Sequence, residues 1–138
     1  MEECTPNLGV YYWTENGYQP LVFYDGWQVA LLNWEPAYDL KNAGDIECHE
    51  DTDEAFVLWK GHGLLLVSSP DGRRAVDMLP GVIYNVPHGV WHTLLATRDV
   101  SWVIVESRDT HLNDTHVRRM TNEEWEHLRA NLPKWVKE

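Results

Sequence analysis

Apolar and polar positions alternate in short runs along most of this chain, and Gly, Pro, Asn or Asp closes each run. From residue 10 to about 107 the pattern predicts strands. Asp25-Gly26 separates the runs 21–24 and 27–32, a pair suited to a type I′ hairpin because both residues tolerate positive φ. Pro70-Asp71-Gly72 marks a second hairpin, between 64–68 and 74–79. Further runs occupy 46–49, 55–59, 82–86, 93–97 and 101–106. Gly61-His62-Gly63, Pro80-Gly81, Pro87-His88-Gly89 and Arg98-Asp99 punctuate them. Many short strands with little helical periodicity between them predict an all-β sandwich or barrel.

The tail changes character. Thr121-Asn122-Glu123-Glu124 is a capping box: the threonine hydroxyl takes one orphan amide while Glu124 reaches back to the other. Trp125, Leu128, Arg129 and Leu132 then recur at helical spacing, and Pro133 ends the run. One amphipathic helix over about 122–132 is expected to pack outside a β body of about 8–108, the whole chain 1–138 forming a single domain.

Composition narrows the function class. The 138 residues carry 22 acidic against 11 basic side chains, a formal charge of −11, which disfavours nucleic acid and anionic membranes. Arg73-Arg74 and Arg118-Arg119 are only pairs, read as solvated. The start, Met1-Glu2-Glu3-Cys4, lacks an apolar signal core, and the aliphatic run 64–67 is too short to span a bilayer. The expected location is therefore cytoplasmic, with Cys4 and Cys48 unpaired. Eight Trp and six Tyr imply a packed core or an aromatic-walled cavity.

The chemistry lies in side-chain direction. Alternate strand residues share a face, so Glu47 and His49 point together, Glu54 goes with Phe56 and Leu58, and His92 with Leu94 and Ala96. If all these faces turn inward, Glu47, His49, Glu54 and His92 meet in one apolar-lined cavity. Two imidazoles and two carboxylates suit a divalent transition metal, or equally an acid/base set whose pKa values burial spreads apart. Cys48 alternates away from that cavity. His111 and His116 show no sidedness, His88 sits in the Pro87–Gly89 turn, and Trp91, facing away from His92, is expected against a second sheet or a subunit partner.

His49, Glu54 and Gly61, followed by Gly81, Pro87, Gly89 and His92, resemble the two motifs of the cupin superfamily. The resemblance covers roughly residues 45–97 and implies a cupin-type double-stranded β-helix, or jelly roll, with one C-terminal helix. By position, His49, Glu54 and His92 match three of the four family ligands. Glu47 stands where the first histidine is expected, and Ala96 where an asparagine is usual. Segments such as Thr52–Leu58 and Gly89–Thr93 are similar to a group of small, largely uncharacterised bacterial cupins, a likeness that carries no activity with it.

Two branches follow. Glu47, His49, Glu54 and His92 hold Zn, Mn, Fe or Ni, or Glu47 and His49 act as a metal-free acid/base pair. Either suits an isomerase or lyase acting on a sugar-like or carbonyl substrate, the acidic cavity favouring neutral polyols over phosphorylated sugars unless a metal offsets the charge. The alternative is a non-catalytic metabolite-binding or sensing protein. The partners expected are a small molecule and, from strand edges and exposed tryptophans, a second copy in a homodimer.

Overall fold

The computed structural model describes residues 2–5, by backbone only, and 7–137. Twelve strands and two helices follow one another: β1 (Glu2–Thr5), β2 (Leu8–Tyr11), β3 (Tyr18–Tyr24), β4 (Trp27–Asn33), β5 (Asp45–Cys48), β6 (Glu54–Lys60), β7 (Gly63–Ser69), β8 (Gly72–Asp77), β9 (Ile83–Val86), β10 (Trp91–Ala96), β11 (Ser101–Ser107), α1 (Thr110–Asn113), β12 (His116–Arg119) and α2 (Asn122–Ala130). Two 3-10 turns, Pro36–Tyr38 and Leu40–Asn42, bridge β4 and β5.

Ten strands form two five-stranded antiparallel sheets, in the orders β12-β5-β10-β7-β8 and β3-β4-β11-β6-β9, while β1 and β2 pair separately. Alternation decides what lies between the sheets. Ala30 and Leu32 of β4, Phe56 and Leu58 of β6, Leu94 and Ala96 of β10, and Trp102 and Ile104 of β11 form one buried cluster. The opposite face of β5, β7 and β10 supplies Ile46, Leu64, Leu66 and Leu95 to a second cluster, closed by Met120, Leu128 and Trp125. Thus α2 covers the outer face of one sheet.

The helix is held by charge as well as burial. Thr121 Oγ1 accepts the Glu124 N–H at 3.2 Å, and Glu124 Oε1 accepts the Thr121 N–H at 2.9 Å, completing the expected box. Arg118 donates to both Glu124 oxygens, at 2.7 and 2.9 Å, and holds that carboxyl down at about 2. The Arg118 guanidinium also lies 4.4 Å over the Trp91 ring. Trp91 therefore packs beneath the helix side of its sheet, not against the second sheet.

Several local expectations change. Asp25 takes a positive φ of 51° but Gly26 does not, so the β3–β4 turn is not type I′. Ordered structure runs past residue 108. Thr110 Oγ1 bonds Ser107 O at 2.6 Å to start the short α1, and β12 joins β5 as an edge strand. Strand β12 is exposed at three of its four positions, so it carries no alternation to read. The Cys4 side chain lies outside the described residues; Cys48 is a buried free thiol.

Gly61 has a structural duty in the first motif. Its φ of 73° suits glycine, and a Cβ there would fall 2.7 Å from the Val100 backbone. The two motifs also touch directly: Gly89 N–H donates to His49 O at 2.6 Å. Asp53 Oδ1 accepts the His88 N–H at 2.9 Å, and Asp53 Oδ2 accepts from Asn85 at 3.0 Å.

Candidate functional site

Adjacent strands carry the predicted residues to one place. His92 is in direct register with Glu47 across β10 and β5, His49 follows the end of β5, and Glu54 opens β6 in the opposite sheet. One donor atom from each of Glu47, His49, Glu54 and His92 lies within 4.8 Å of all the others. Glu54 is the hub: its Oε1 sits 3.0 Å from His49 Nε2 and 3.0 Å from His92 Nε2. Glu47 Oε1 is 3.5 Å from His92 Nε2, with its side chain 44% exposed at the cavity mouth. The departure from histidine at position 47 thus keeps an oxygen donor facing in.

Both imidazoles are oriented by the backbone. His49 Nδ1 lies 2.8 Å from Asp114 O, and His92 Nδ1 lies 3.2 Å from Val90 O. Donation from Nδ1 leaves each neutral ring with its Nε2 lone pair aimed at the cluster. His92 Nε2 and Glu106 Oε2 are buried with no well-formed hydrogen bond among the described residues. An orphaned imidazole nitrogen beside two carboxylates and a second imidazole is a donor set that fits a divalent transition metal.

Without a cation, protons take its place. Burial would lower His92, but Glu47 and Glu54 more than offset it and hold the ring up at about 10. His49 is raised in the same way, chiefly by Glu54 against burial. Burial would raise Glu54, yet the two imidazoles keep it below the ordinary carboxylate range.

The cavity encloses about 210 Å³. It is lined by Tyr18, Leu32, Glu35, Tyr38, Glu47, His49, Glu54, Phe56, Leu94, Ile104, Glu106, His111 and Thr115. A larger groove of about 420 Å³, bounded by Leu40, Leu95, Arg98 and Trp135, contains none of the four clustered residues.

Several polar residues of the wall escape a reading based on motifs. Burial and the nearby Glu54 charge push Glu106 up to about 8, so it keeps its proton at neutral pH. Tyr18 donates its hydroxyl to Glu106 Oε1 at 2.6 Å, and Gln28 Nε2 donates to Tyr18 at 2.9 Å. Gln28 Nε2 also lies 3.2 Å from His111 Nδ1, which brings His111 to the cavity wall. Period-two alternation could have found Glu106 and Gln28: each continues an inward stripe, after Trp102 and Ile104 or before Ala30 and Leu32. His88, by contrast, stays in its exposed turn beside Asp53.

Asp114 belongs to neither spaced motif, yet it organises the first. Its carboxylate accepts the Glu50 and Asp51 N–H groups, both at 2.9 Å, while its carbonyl orients His49. These amide bonds overcome the effect of burial and lower the Asp114 pKa. Asp114→Ala keeps the carbonyl but releases the Glu50–Asp51 amides that anchor the loop around His49. It should leave the protein folded while weakening metal affinity about 10-fold, the low end for losses behind a ligand. Metal titration of the variant checks this; unchanged affinity would remove Asp114 from the account.

No family model and no curated protein matches the sequence. Solved structures do. A point variant of Streptomyces PAC13 with uridine aligns at TM-score 0.56 and 14% identity, over 81% of this chain and 88% of that one. A Bacillus halodurans protein aligns at TM-score 0.52 and 19% identity, over 68% and 71% of the two chains. A cupin-2 domain containing protein from Shewanella frigidimarina gives TM-score 0.48 and 24% identity, over 69% and 85%. Identities this low speak for fold and not for activity. The chain shares the fold of PAC13 and of the Bacillus halodurans protein, and its two five-stranded antiparallel sheets, with inward groups from β5, β6 and β10, agree with the cupin-type fold that the two spaced motifs imply.

Proposed function

We propose that the cavity is a small-molecule site in which Glu47, His49, Glu54 and His92 hold a divalent transition metal, of the Zn, Mn, Fe or Ni kind. The activity it best suits is that of an isomerase or lyase on a sugar-like or carbonyl substrate. The observation that carries this reading is the buried His92 Nε2, 3.0 Å from Glu54 and 3.5 Å from Glu47, with no well-formed hydrogen bond among the described residues. When bound, the metal supplies Lewis-acid polarisation of a carbonyl or hydroxyl oxygen.

The chain's own groups divide the remaining work. In the metal-free branch Glu47, at the mouth, is the carboxylate that can take a proton from the carbon beside a carbonyl. Glu106 keeps its proton, and its buried Oε2 lies 4.0 Å from His49 Nε2 behind the clustered side chains. Phe56, Leu94 and Ile104 exclude water from the inner wall.

Four carboxyl groups, Glu35, Glu47, Glu54 and Glu106, face this small space. Where no metal offsets their charge, the ionised ones favour neutral polyols over phosphorylated ones. PAC13 is a like-folded protein with uridine, a neutral nucleoside, so nucleosides join free sugars as ligands to test. We take the protein to act in the cytoplasm as a homodimer; among the described residues no helix is long and apolar enough to cross a membrane.

Thermal shift and turnover across neutral sugars, nucleosides and their phosphates test the proposal. In chelator, a neutral ligand is expected to stabilise the protein, with its phosphorylated form binding about 10-fold more weakly or worse. His92→Ala should abolish turnover. Phosphates that bind as well as neutral ligands, or a fully active His92→Ala, would sink it. Binding without turnover would favour the sensing role.

A further inference from the structure

The two sheets treat their outer faces differently. That of β12-β5-β10-β7-β8 is covered by α2 and the segment after it, which bury Ile46, Leu64, Leu66 and Leu95. That of β3-β4-β11-β6-β9 is also largely apolar: Val22, Val29, Leu31, Ala55, Val57 and Val103 are half-buried there, and Tyr24, Trp27, Trp59, Ile83 and Val105 are exposed.

Register shows how continuous this face is. One row across the sheet reads Val22, Val29, Val105, Ala55, Asn85, and the next reads Gln19, Leu31, Val103, Val57, Ile83, each with one uncharged polar residue at an edge strand. Tyr24 and Trp27 pair at one end, and Trp59 lies toward the other. Exposure is 70% at Tyr24, 42% at Trp27, 56% at Trp59, 71% at Ile83 and 41% at Val105. Neither row contains a charge; Lys60, beyond the bulge at the end of β6, marks where the apolar rows stop. Such a gap in charge is notable in a chain with 24% charged residues.

We propose that this face is the surface through which two copies of the chain associate. Area supports a second copy as the occupant. The three aromatics alone present about 250–420 Å² at these exposures, taking 150–250 Å² for a whole side chain. Ile83, Val105 and the half-buried aliphatics between them bring the face toward the ~800 Å² per partner of a standard interface. Charge supports it too. Two copies at −11 each repel, and these rows are a place where they can meet without opposing carboxylates. A two-fold contact would cover the same patch on both copies at once. The central strand β11 puts Val103 and Val105 at its middle.

Sedimentation of the full chain at micromolar concentration tests this. Wild type is expected as a dimer. Val105→Glu, which sets two carboxylates against each other in an apolar contact, should weaken association about 100-fold or more while leaving the far-UV spectrum intact. Trp59→Glu gives an independent reading, and Tyr24→Glu, at a more exposed position, preserves the test if the central variant fails to fold. A monomeric wild type overturns the proposal, whether or not some other protein binds the face. So do folded variants that remain dimeric.

Discussion

Glu54→Gln is expected to strip the cavity of both metal and turnover. Glu54 contacts both buried imidazoles at 3.0 Å, and glutamine offers neither the charge nor a second anionic oxygen. Losing a ligand should cost more than the 10-fold to 100-fold typical of groups behind it, so affinity should fall by about 100-fold or more. A pH signature accompanies the loss. In the metal-free wild type, the raised His92 and His49 contribute stability that is fully present below about pH 6.5. That contribution is lost as pH rises toward about 10, the value at which His92 is held. Glu106, kept protonated up to about 8, weakens the fold in the same direction. Glu54, held low, contributes above about pH 4.5 and loses that contribution only in acid. Thermal unfolding in chelator should therefore show wild type declining from weakly acid to alkaline pH, with a flatter profile in Glu54→Gln. Identical profiles and unchanged metal content in the two proteins would contradict this role for Glu54.

Trp102→Ala should be the most damaging change in the core. The ring is fully buried between the sheets, with its Nε1–H 3.4 Å from Met78 Sδ and Tyr38 packed edge-on at 5.8 Å. It lies so close over Gly63 that a Cβ there would fall 2.5 Å from it. Truncation removes the burial and leaves a cavity the sheets cannot close, at about 3–5 kcal/mol. That is a large part of the roughly 5–15 kcal/mol a domain has. The expected fall in Tm is about 10–20 °C. Tyr38 lines the candidate site, so ligand affinity should fall as well. A shift of only a few degrees would show that Trp102 does not organise the core.

How much was legible in advance depended on periodicity. Strands β4, β5 and β6 announce themselves because one face of each is buried and the other is not, so alternation was visible at Trp27–Asn33 and Glu54–Lys60 alike, whereas β7 is buried on both faces and reads as a continuous apolar run. The helix α2 was legible from its capping box. Strand β12 was not, since His116–Arg119 pairs only through its backbone on an exposed edge. The same division holds in the cavity. Glu47, His49, Glu54 and His92 could be assembled from strand faces plus two spaced motifs. Asp114 could not, because it acts on the first motif from 64 residues away through Glu50 N–H and through its own carbonyl. Glu106 and Gln28 were visible in the alternation of β11 and β4, but no motif drew attention to them.

The central claim is that these four side chains form a metal site. Elemental analysis of wild type purified without added metal or chelator, beside His92→Ala prepared in the same way, tests it most directly. The account predicts close to one transition-metal ion per chain in wild type and essentially none in the variant. A wild type that is empty and takes up none of Zn, Mn, Fe or Ni on titration, or a His92→Ala that retains its ion, would contradict it.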